Sequence, residues 1–287
     1  MPPPPSAFAD ALVLTGPTGA GKTAVALDLA DRLGCEVVAL DSMTVYRGLD
    51  VGTAKPTPAE RDRVRHHLID VLDPWESAHV AWWLDAAAAA CAEVRERGKR
   101  PLFVGGTPFY LKALLHGLSD APNDVRRVVR ALEVFELAGR PISAFQQTWD
   151  TPSFAGPAAP PPANLPCVVL EWPRDELYRR IDARVSAMLA AGWLDEVRRL
   201  RELPRPVGKE ASQALGYREL HAFLSGTGPG WDDTVSLIRT RTRQFAKRQL
   251  TWFRHLAGCV PVAADGPAVA DRVVAAWAKS GTPSAKT

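Results

Sequence analysis

The sequence lacks the residues that would staple it together or anchor it in a bilayer. Its four cysteines (Cys35, Cys91, Cys167 and Cys259) are widely scattered, form no CxxC pair and have no histidine at finger spacing. That excludes a disulfide framework and a structural zinc site, and it leaves Cys35, Cys91 and Cys167 as small core residues. Long apolar runs are missing too. The most apolar helix candidate, around residues 86–91, is mostly alanine, lies between Asp85 and Glu93, and is far too short to span a membrane. The opening Met-Pro-Pro-Pro-Pro has neither the basic nor the apolar region of a signal peptide, so a cytoplasmic location is expected. No internal repeat is visible, and a net charge of only +3 excludes no class of partner.

What is present suits a folded globular protein. The 287 residues are 46% hydrophobic and 23% charged, enough for one large α/β unit with a subsidiary lobe. Short apolar runs at 11–15 (ALVLT), 36–40 (EVVAL), 102–104, 168–170 and 260–263 read as strands. Helical spacing covers 24–33, stopped by Gly34, and 109–115, 174–191, 194–203 and 232–255. Strands alternating with helices predict an α/β fold, with a P-loop NTPase-like parallel sheet, flanking helices and a helical second half. Residues 11–275 are expected to form this core. Residues 1–10 and 276–287 are expected to be disordered ends, and 155–166 (AGPAAPPPANLP) a proline-rich connector. Trp82 and Trp83 are expected to pack against the core, and His66 and His67 to be structural.

The segment Gly16-Pro17-Thr18-Gly19-Ala20-Gly21-Lys22-Thr23 matches G-x-x-x-x-G-K-[ST] in full, between a strand and a helix. Such glycines let backbone N–H groups wrap a phosphate, and the helix N-terminus adds partial positive charge. Lys22 can reach the outer phosphate, and the Thr23 hydroxyl can ligate Mg²⁺. Asp41 and Thr107 stand at two further strand ends, where open parallel sheets bind ligands. From position alone, Asp41 is open to three roles: holding Mg²⁺ through water, acting as a general base, or capping the next turn. Thr107, within Gly-Gly-Thr, fits a site or an ordinary turn.

From Thr234 to Ala264 there is no acidic residue, yet the stretch holds Arg239, Arg241, Arg243, Lys247, Arg248 and Arg254 with Phe245, Trp252 and Phe253 interleaved. A solvated helix ordinarily mixes both signs, whereas concentrated positive charge with aromatics is the footprint of a phosphate-backbone partner. Arg126, Arg127 and Arg130 form a second basic cluster, followed by Glu133 and Glu136.

Taken in order, GPTGAGKT (16–23), DSMTVYRGLDVGTAKP (41–56), HHLIDVLDP (66–74), VGGTPFYLKALLHGL (104–118), RALEVFELAGRPIS (130–143), LGYREL (215–220) and RTRQFAKRQLTWFR (241–254) closely resemble the tRNA dimethylallyltransferases. That resemblance implies transfer of a dimethylallyl group from dimethylallyl diphosphate to N6 of the adenine 3′ to the anticodon. It implies Mg²⁺ as cofactor, the tRNA anticodon stem-loop as partner, and a monomer without a membrane association. Carried over, Asp41 is the general base and Thr107 touches the reacting groups from the channel wall. Residues 16–23 and Arg218 hold the diphosphate, and Ser42, Met43 and Thr44 lie along the nucleotide. Arg126, Arg127, Arg130, Gln213, Gly216, Tyr217, Lys247, Arg248, Trp252 and Arg254 hold the tRNA.

Two departures accompany the likeness. The family usually has Gln where this chain has Thr44, and its helical insertion is largely missing, with 118–125 joining the flanking segments directly. Three other readings share some of these features: a P-loop small-molecule kinase, an adenylate isopentenyltransferase acting on free nucleotide, and a nucleotide-gated RNA-binding protein.

Overall fold

The computed structural model describes Pro3 and residues 5–117 and 165–280. Its strands are β1 Leu12–Thr15, β2 Cys35–Leu40, β3 His66–His67, β4 Arg100–Gly105, β5 Cys167–Glu171 and β6 Cys259–Ala263. They pair in parallel in the order β3-β2-β4-β1-β5-β6. The helices are α1 Lys22–Leu33, α2 Pro58–Arg63, α3 Val80–Glu96, α4 Pro108–His116, α5 Arg174–Ala190, α6 Trp193–Arg201, α7 Tyr217–Leu224, α8 Trp231–Arg254 and α9 Val269–Ser280.

Every residue of β1 and β2 is buried, which is why they read as unbroken apolar runs rather than alternating ones. On one face α3 and α4 pack Trp83, Leu111 and Leu114 against Phe103 and Val38. Trp83 is wholly buried, stacks on Tyr110 at 4.9 Å and donates its indole N–H to Ala39 O. On the other face α1 and α9 bring Leu29, Val273 and Trp277 against Leu14 and Leu170. A separate cluster of Val45, Tyr46, Leu49, Trp193, Leu220 and Ile238 seats the helical second half on the loop that follows β2.

Several expectations change. Part of the opening segment is structured: Pro5–Phe8 forms a 3-10 turn, and Phe8 is buried edge-on against Phe103, its ring burial offsetting part of the cost of ordering the turn. Residues 276–280, expected to belong to a disordered end, are helical instead: α9 continues to Ser280, and Trp277 is buried with its indole N–H on Val13 O. At the end of the proline-rich connector, Leu165 is buried and Pro166 O accepts the Val13 N–H. The rest of that connector, the join at 118–125 and Arg126, Arg127 and Arg130 lie outside the described residues. The short β3 and α2 carry no apolar periodicity; α2 is instead marked by Thr57 and Glu60, which form a capping box. Cys35, Cys91 and Cys167 are core residues, and Cys167 and Cys259 face each other across β5 and β6 with their thiol sulfurs 3.0 Å apart. Among the described residues no helix is long and apolar enough to cross a membrane.

His67 proves structural, through an ion-pair cluster that makes acid stability testable. Glu36, on β2, accepts two hydrogen bonds from Arg97 (2.9 and 2.7 Å) and lies 2.8 Å from His67 Nε2. Chiefly because of Arg97, with His67 adding to it, the Glu36 carboxyl is held at about 2, below its ordinary 4.5. A depressed folded-state value stabilises fully above the unfolded value, and that contribution disappears as pH falls through the folded one. Thermal melts between about pH 5 and 2 should therefore show a steeper fall in Tm for the native chain than for Glu36→Gln, because the variant has no carboxylate to protonate there.

Candidate active site

The site is laid out by strand register. Leu40, Gly105 and Thr15 sit in one row across β2, β4 and β1. The next residues are Asp41, Gly106 and Gly16, so three loops leave the sheet side by side at its carboxyl edge. With strands about 4.8 Å apart, the whole row spans about 10 Å. A cavity of about 440 Å³ opens over it. The P-loop, Asp41 to Thr44 and Gly105 to Thr107 line its sheet side, while Arg184, Met188, Trp193, Gln213, Phe245 and Arg248 line the helical side.

The P-loop turns on Gly21, which caps α1 in a left-handed conformation (φ 83°) that a side chain would strain. Not every amide of the motif is open to a phosphate. Pro17 has no N–H, the Ala20 N–H closes a turn onto Pro17 O at 3.2 Å, and the Thr18 N–H is taken by Gln249 Oε1 at 2.9 Å. The N–H groups of Gly19, Gly21, Lys22 and Thr23 have no partner among the described residues. Lys22 Nζ reaches back to Gly16 O (2.8 Å) and Pro17 O (2.9 Å). Burial brings the Lys22 ammonium down to about 8; the Arg184 charge pushes the same way, and Asp41 opposes both. From behind, the Trp172 indole N–H holds Ala20 O at 3.0 Å and Arg180 Nε holds Gly19 O at 2.9 Å. The Arg180 guanidinium lies over the Trp172 ring at 4.2 Å.

Asp41 both caps a turn and faces the cavity. Its Oδ1 accepts the N–H groups of Met43 (2.8 Å) and Thr44 (3.3 Å), which fixes the carboxylate plane and leaves Oδ2 without a partner among the described residues. Thr107 Oγ1 accepts the Ser42 N–H at 3.1 Å and lies 3.4 Å from Ser42 Oγ, so it braces the Asp41 loop from β4. The Thr44 hydroxyl is buried at the cavity wall with no hydrogen-bond partner among the described residues.

No cluster of three or more His, Cys, Asp or Glu side chains able to hold a metal occurs among the described residues. The Thr23 hydroxyl, which lines the cavity and is unpaired among them, still fits Mg²⁺, an ion that keeps several waters and takes substrate phosphate oxygens with few protein ligands.

The remaining anticipated residues divide sharply. Gln213 and Arg248 line the cavity. Arg218 does not; its side chain is 70% exposed on α7, with Glu219 3.6 Å away. Gly216 and Tyr217 are buried. Gly216 packs so tightly on Trp193 that a Cβ there would come within 2.2 Å of the indole, and the Tyr217 hydroxyl donates to buried Glu196 at 2.5 Å.

The cations of α8 are not all available either. Arg241 pairs with buried Glu219, Arg243 with Asp182, and Arg239 donates to Ser186 Oγ. Lys247, Arg248 and Arg254 are exposed and have no ion pair among the described residues, and exposed Trp252 stands between them. Sequence reasoning missed Arg184 and Gln249, and it read His66 as structural although that ring also lines the cavity. A signal existed for the first two: each interrupts the apolar stripe of its helix, Arg184 beside Leu177, Ile181 and Val185, and Gln249 between Ala246 and Phe253.

Comparison with known proteins covers the same elements. The IPP transferase family model matches residues 44–123 and 119–256, two stretches that meet where the helical insertion is shortened, and the isopentenyl transferase model matches 9–72. A tRNA dimethylallyltransferase 1 from Trichlorobacter lovleyi is 43% identical over 85% of this chain and 90% of its own length. A tRNA dimethylallyltransferase from Roseiflexus castenholzii is 40% identical over 92% and 96%. The crystal structure of a full-length tRNA isopentenylpyrophosphate transferase from Bacillus halodurans superposes with a TM-score of 0.74 at 30% identity, covering 95% of this chain and 98% of that one. A eukaryotic dimethylallyltransferase acting on tRNA superposes at 0.67 and 26% identity, over 89% of this chain and 74% of its own. With the P-loop, both strand-end loops and α8 inside these matches, the chain belongs to the IPP transferase family, the tRNA dimethylallyltransferases.

Proposed function

We propose that the chain transfers the dimethylallyl group of dimethylallyl diphosphate to N6 of the adenine on the 3′ side of the tRNA anticodon, releasing diphosphate. The observation that carries this reading is the joining, in one cavity, of a phosphate cradle flanked by two cations to a carboxylate oxygen with no partner among the described residues.

The free amides of Gly19, Gly21, Lys22 and Thr23, with Lys22 and Arg184, hold the diphosphate and stabilise the charge that develops as it leaves. Thr23 is the residue that would hold Mg²⁺, which when bound neutralises phosphate charge as a Lewis acid. Val104, Val185 and Met188 give the cavity an apolar wall for the dimethylallyl chain. Asp41 Oδ2 takes the proton from N6, an amine too weakly nucleophilic to attack while it keeps that proton in place. Thr107 and Ser42 keep the carboxylate loop in register. A base must leave its stack to reach this depth, which costs least in a loop.

On the RNA side, Lys247, Arg248, Trp252 and Arg254 form the exposed face of α8, and Arg248 extends it to the cavity rim over the Phe245 ring. Three such cations predict a measurable salt dependence. At a slope of about 0.7 per phosphate contact, stem-loop affinity should fall about 20-fold between about 50 and 200 mM salt. Filter binding checks this, and a flat response would remove the α8 face from RNA binding.

The reading itself is tested by offering labelled dimethylallyl diphosphate and Mg²⁺ with either an anticodon stem-loop RNA or AMP. Label should enter the RNA. Label in AMP alone would reassign the chain to free-nucleotide chemistry, and phosphate transfer from ATP without prenyl transfer would make it a kinase.

A further inference from the structure

Gln249 lies on α8, two residues from Lys247 and next to Arg248, yet it points inward and is only 3% exposed. Both ends of its carboxamide are in use. Oε1 accepts the Thr18 N–H at 2.9 Å, and Nε2 donates to Gly106 O at 2.6 Å. One side chain therefore spans the loops that follow β1 and β4. Its partners are a donor and an acceptor, so the amide has a single satisfactory orientation.

The approach is close enough to constrain the other side. A Cβ on Gly106 would lie 2.7 Å from Gln249 Nε2 and 3.0 Å from Gly16 O, so glycine is needed for the two loops and α8 to meet. Thr18 stands immediately before the free amides of the cradle, and Gly106 immediately before Thr107. No other residue type does the same work: glutamate would turn a carboxylate oxygen onto Gly106 O, and an apolar side chain would leave a buried N–H and a buried carbonyl unpaired.

We propose that Gln249 is a positioning residue for the diphosphate cradle, holding the P-loop against the Gly106 loop from the helix that faces the RNA. The proposal rests on the functional reading above for what the cradle binds. Its role is indirect: Gln249 sets where the amides of Gly19 to Thr23 point, and touches neither the reacting carbon nor the attacking nitrogen.

The test uses the full chain with Gln249→Met, which keeps length and apolar volume but loses both hydrogen bonds, and Gln249→Asn, which keeps the amide but is one methylene too short to reach both partners. Binding of inorganic pyrophosphate with Mg²⁺ is measured by calorimetry, stem-loop affinity by filter binding, and kcat and KM are determined separately for each substrate. Both variants should bind pyrophosphate about 10- to 100-fold more weakly, as expected for orphaning a buried amide pair, and raise KM for dimethylallyl diphosphate to match. RNA affinity and KM for RNA should stay within about twofold. Unchanged pyrophosphate affinity in whichever variant folds overturns the proposal. So does an equal loss of both ligands, which marks a general packing role. Because pyrophosphate binding is read without turnover, it decides the role of Gln249 even if the native chain proves to transfer no prenyl group.

Discussion

Asp41→Asn should lose about 10³-fold in single-turnover prenyl transfer while binding the stem-loop as the native chain does, the middle of the range for removing a general base. The choice of asparagine is what makes the result informative. Asp41 Oδ1 accepts the Met43 and Thr44 N–H groups, and an asparagine side-chain oxygen can accept both equally well. The turn therefore survives, together with the Ser42 N–H bond to Thr107 Oγ1 that braces it. What disappears is the second carboxylate oxygen, the one with no partner among the described residues, and with it the capacity to take a proton. If Asp41 only caps, Asp41→Asn should turn over normally and Asp41→Ala should be the damaged variant, with a lower Tm. If Asp41 is the base, both should be inactive, and only the alanine variant should lose stability, by about 1 kcal/mol for a lost cap. Native transfer rates in the asparagine variant would remove Asp41 from the chemistry.

The same residue shows how far the sequence could be read. Asp41 and Thr107 were legible as site candidates because parallel strands that end in one row deliver the residues after them to one edge, and the strand ends are marked by short local runs. The P-loop is legible for the same reason: its chemistry is local and contiguous. Whether Asp41 capped or reacted was not legible, because the answer depends on two oxygens of one side chain having different neighbours.

The charges on α8 failed in the opposite way. Counting along α8 from Thr234 onward gives six cations and no acid, but Glu219 on α7 and Asp182 on α5 pair with Arg241 and Arg243 from other parts of the chain. Helices packed side by side neutralise each other, and a one-dimensional charge count cannot see it. Gly216, Tyr217 and Arg218 share one short motif but have different surroundings: Gly216, which caps α7, lies against Trp193, while Tyr217 turns onto Glu196 and Arg218 out to solvent, since consecutive helical residues point about 100° apart. Gln249 and Arg184 were recoverable as polar interruptions of apolar stripes, although their partners lie across the fold.

Arg184→Met is the second large effect expected: a 10²- to 10³-fold drop in kcat at neutral pH, the cost of removing one preorganised group from a site of developing negative charge. The fold accounts for its place. Leu177, Ile181 and Val185 form the buried stripe of α5, and Ile181 packs so closely on the P-loop that a Cβ on Gly19 would lie 3.0 Å from it. One turn further on, that packing leaves Arg184 at the cavity wall, within electrostatic reach of Asp41 and Lys22.

Burial weakens the hold of the Arg184 guanidinium on its proton, and Asp41 partly restores it. The link to Lys22 supplies a readout that lost packing would not produce. Lys22 is held at about 8, first by burial and then by the Arg184 charge. A lysine is cationic below its pKa, so donor capture by the free enzyme should decline as pH rises past about 8. Taking away Arg184 removes one of the two causes of that depression, and the alkaline limb should then move to higher pH. The variant is thus expected to be much slower at pH 7 and yet to keep its residual kcat/KM for dimethylallyl diphosphate further into alkali, two shifts in opposite senses. A pH profile of kcat/KM reports free-enzyme ionisations and follows the alkaline limb, and kcat at pH 7 gives the loss of rate. A variant whose rate stays within threefold of native, or whose alkaline limb does not move, would show that Arg184 packs beside the cradle without acting on it.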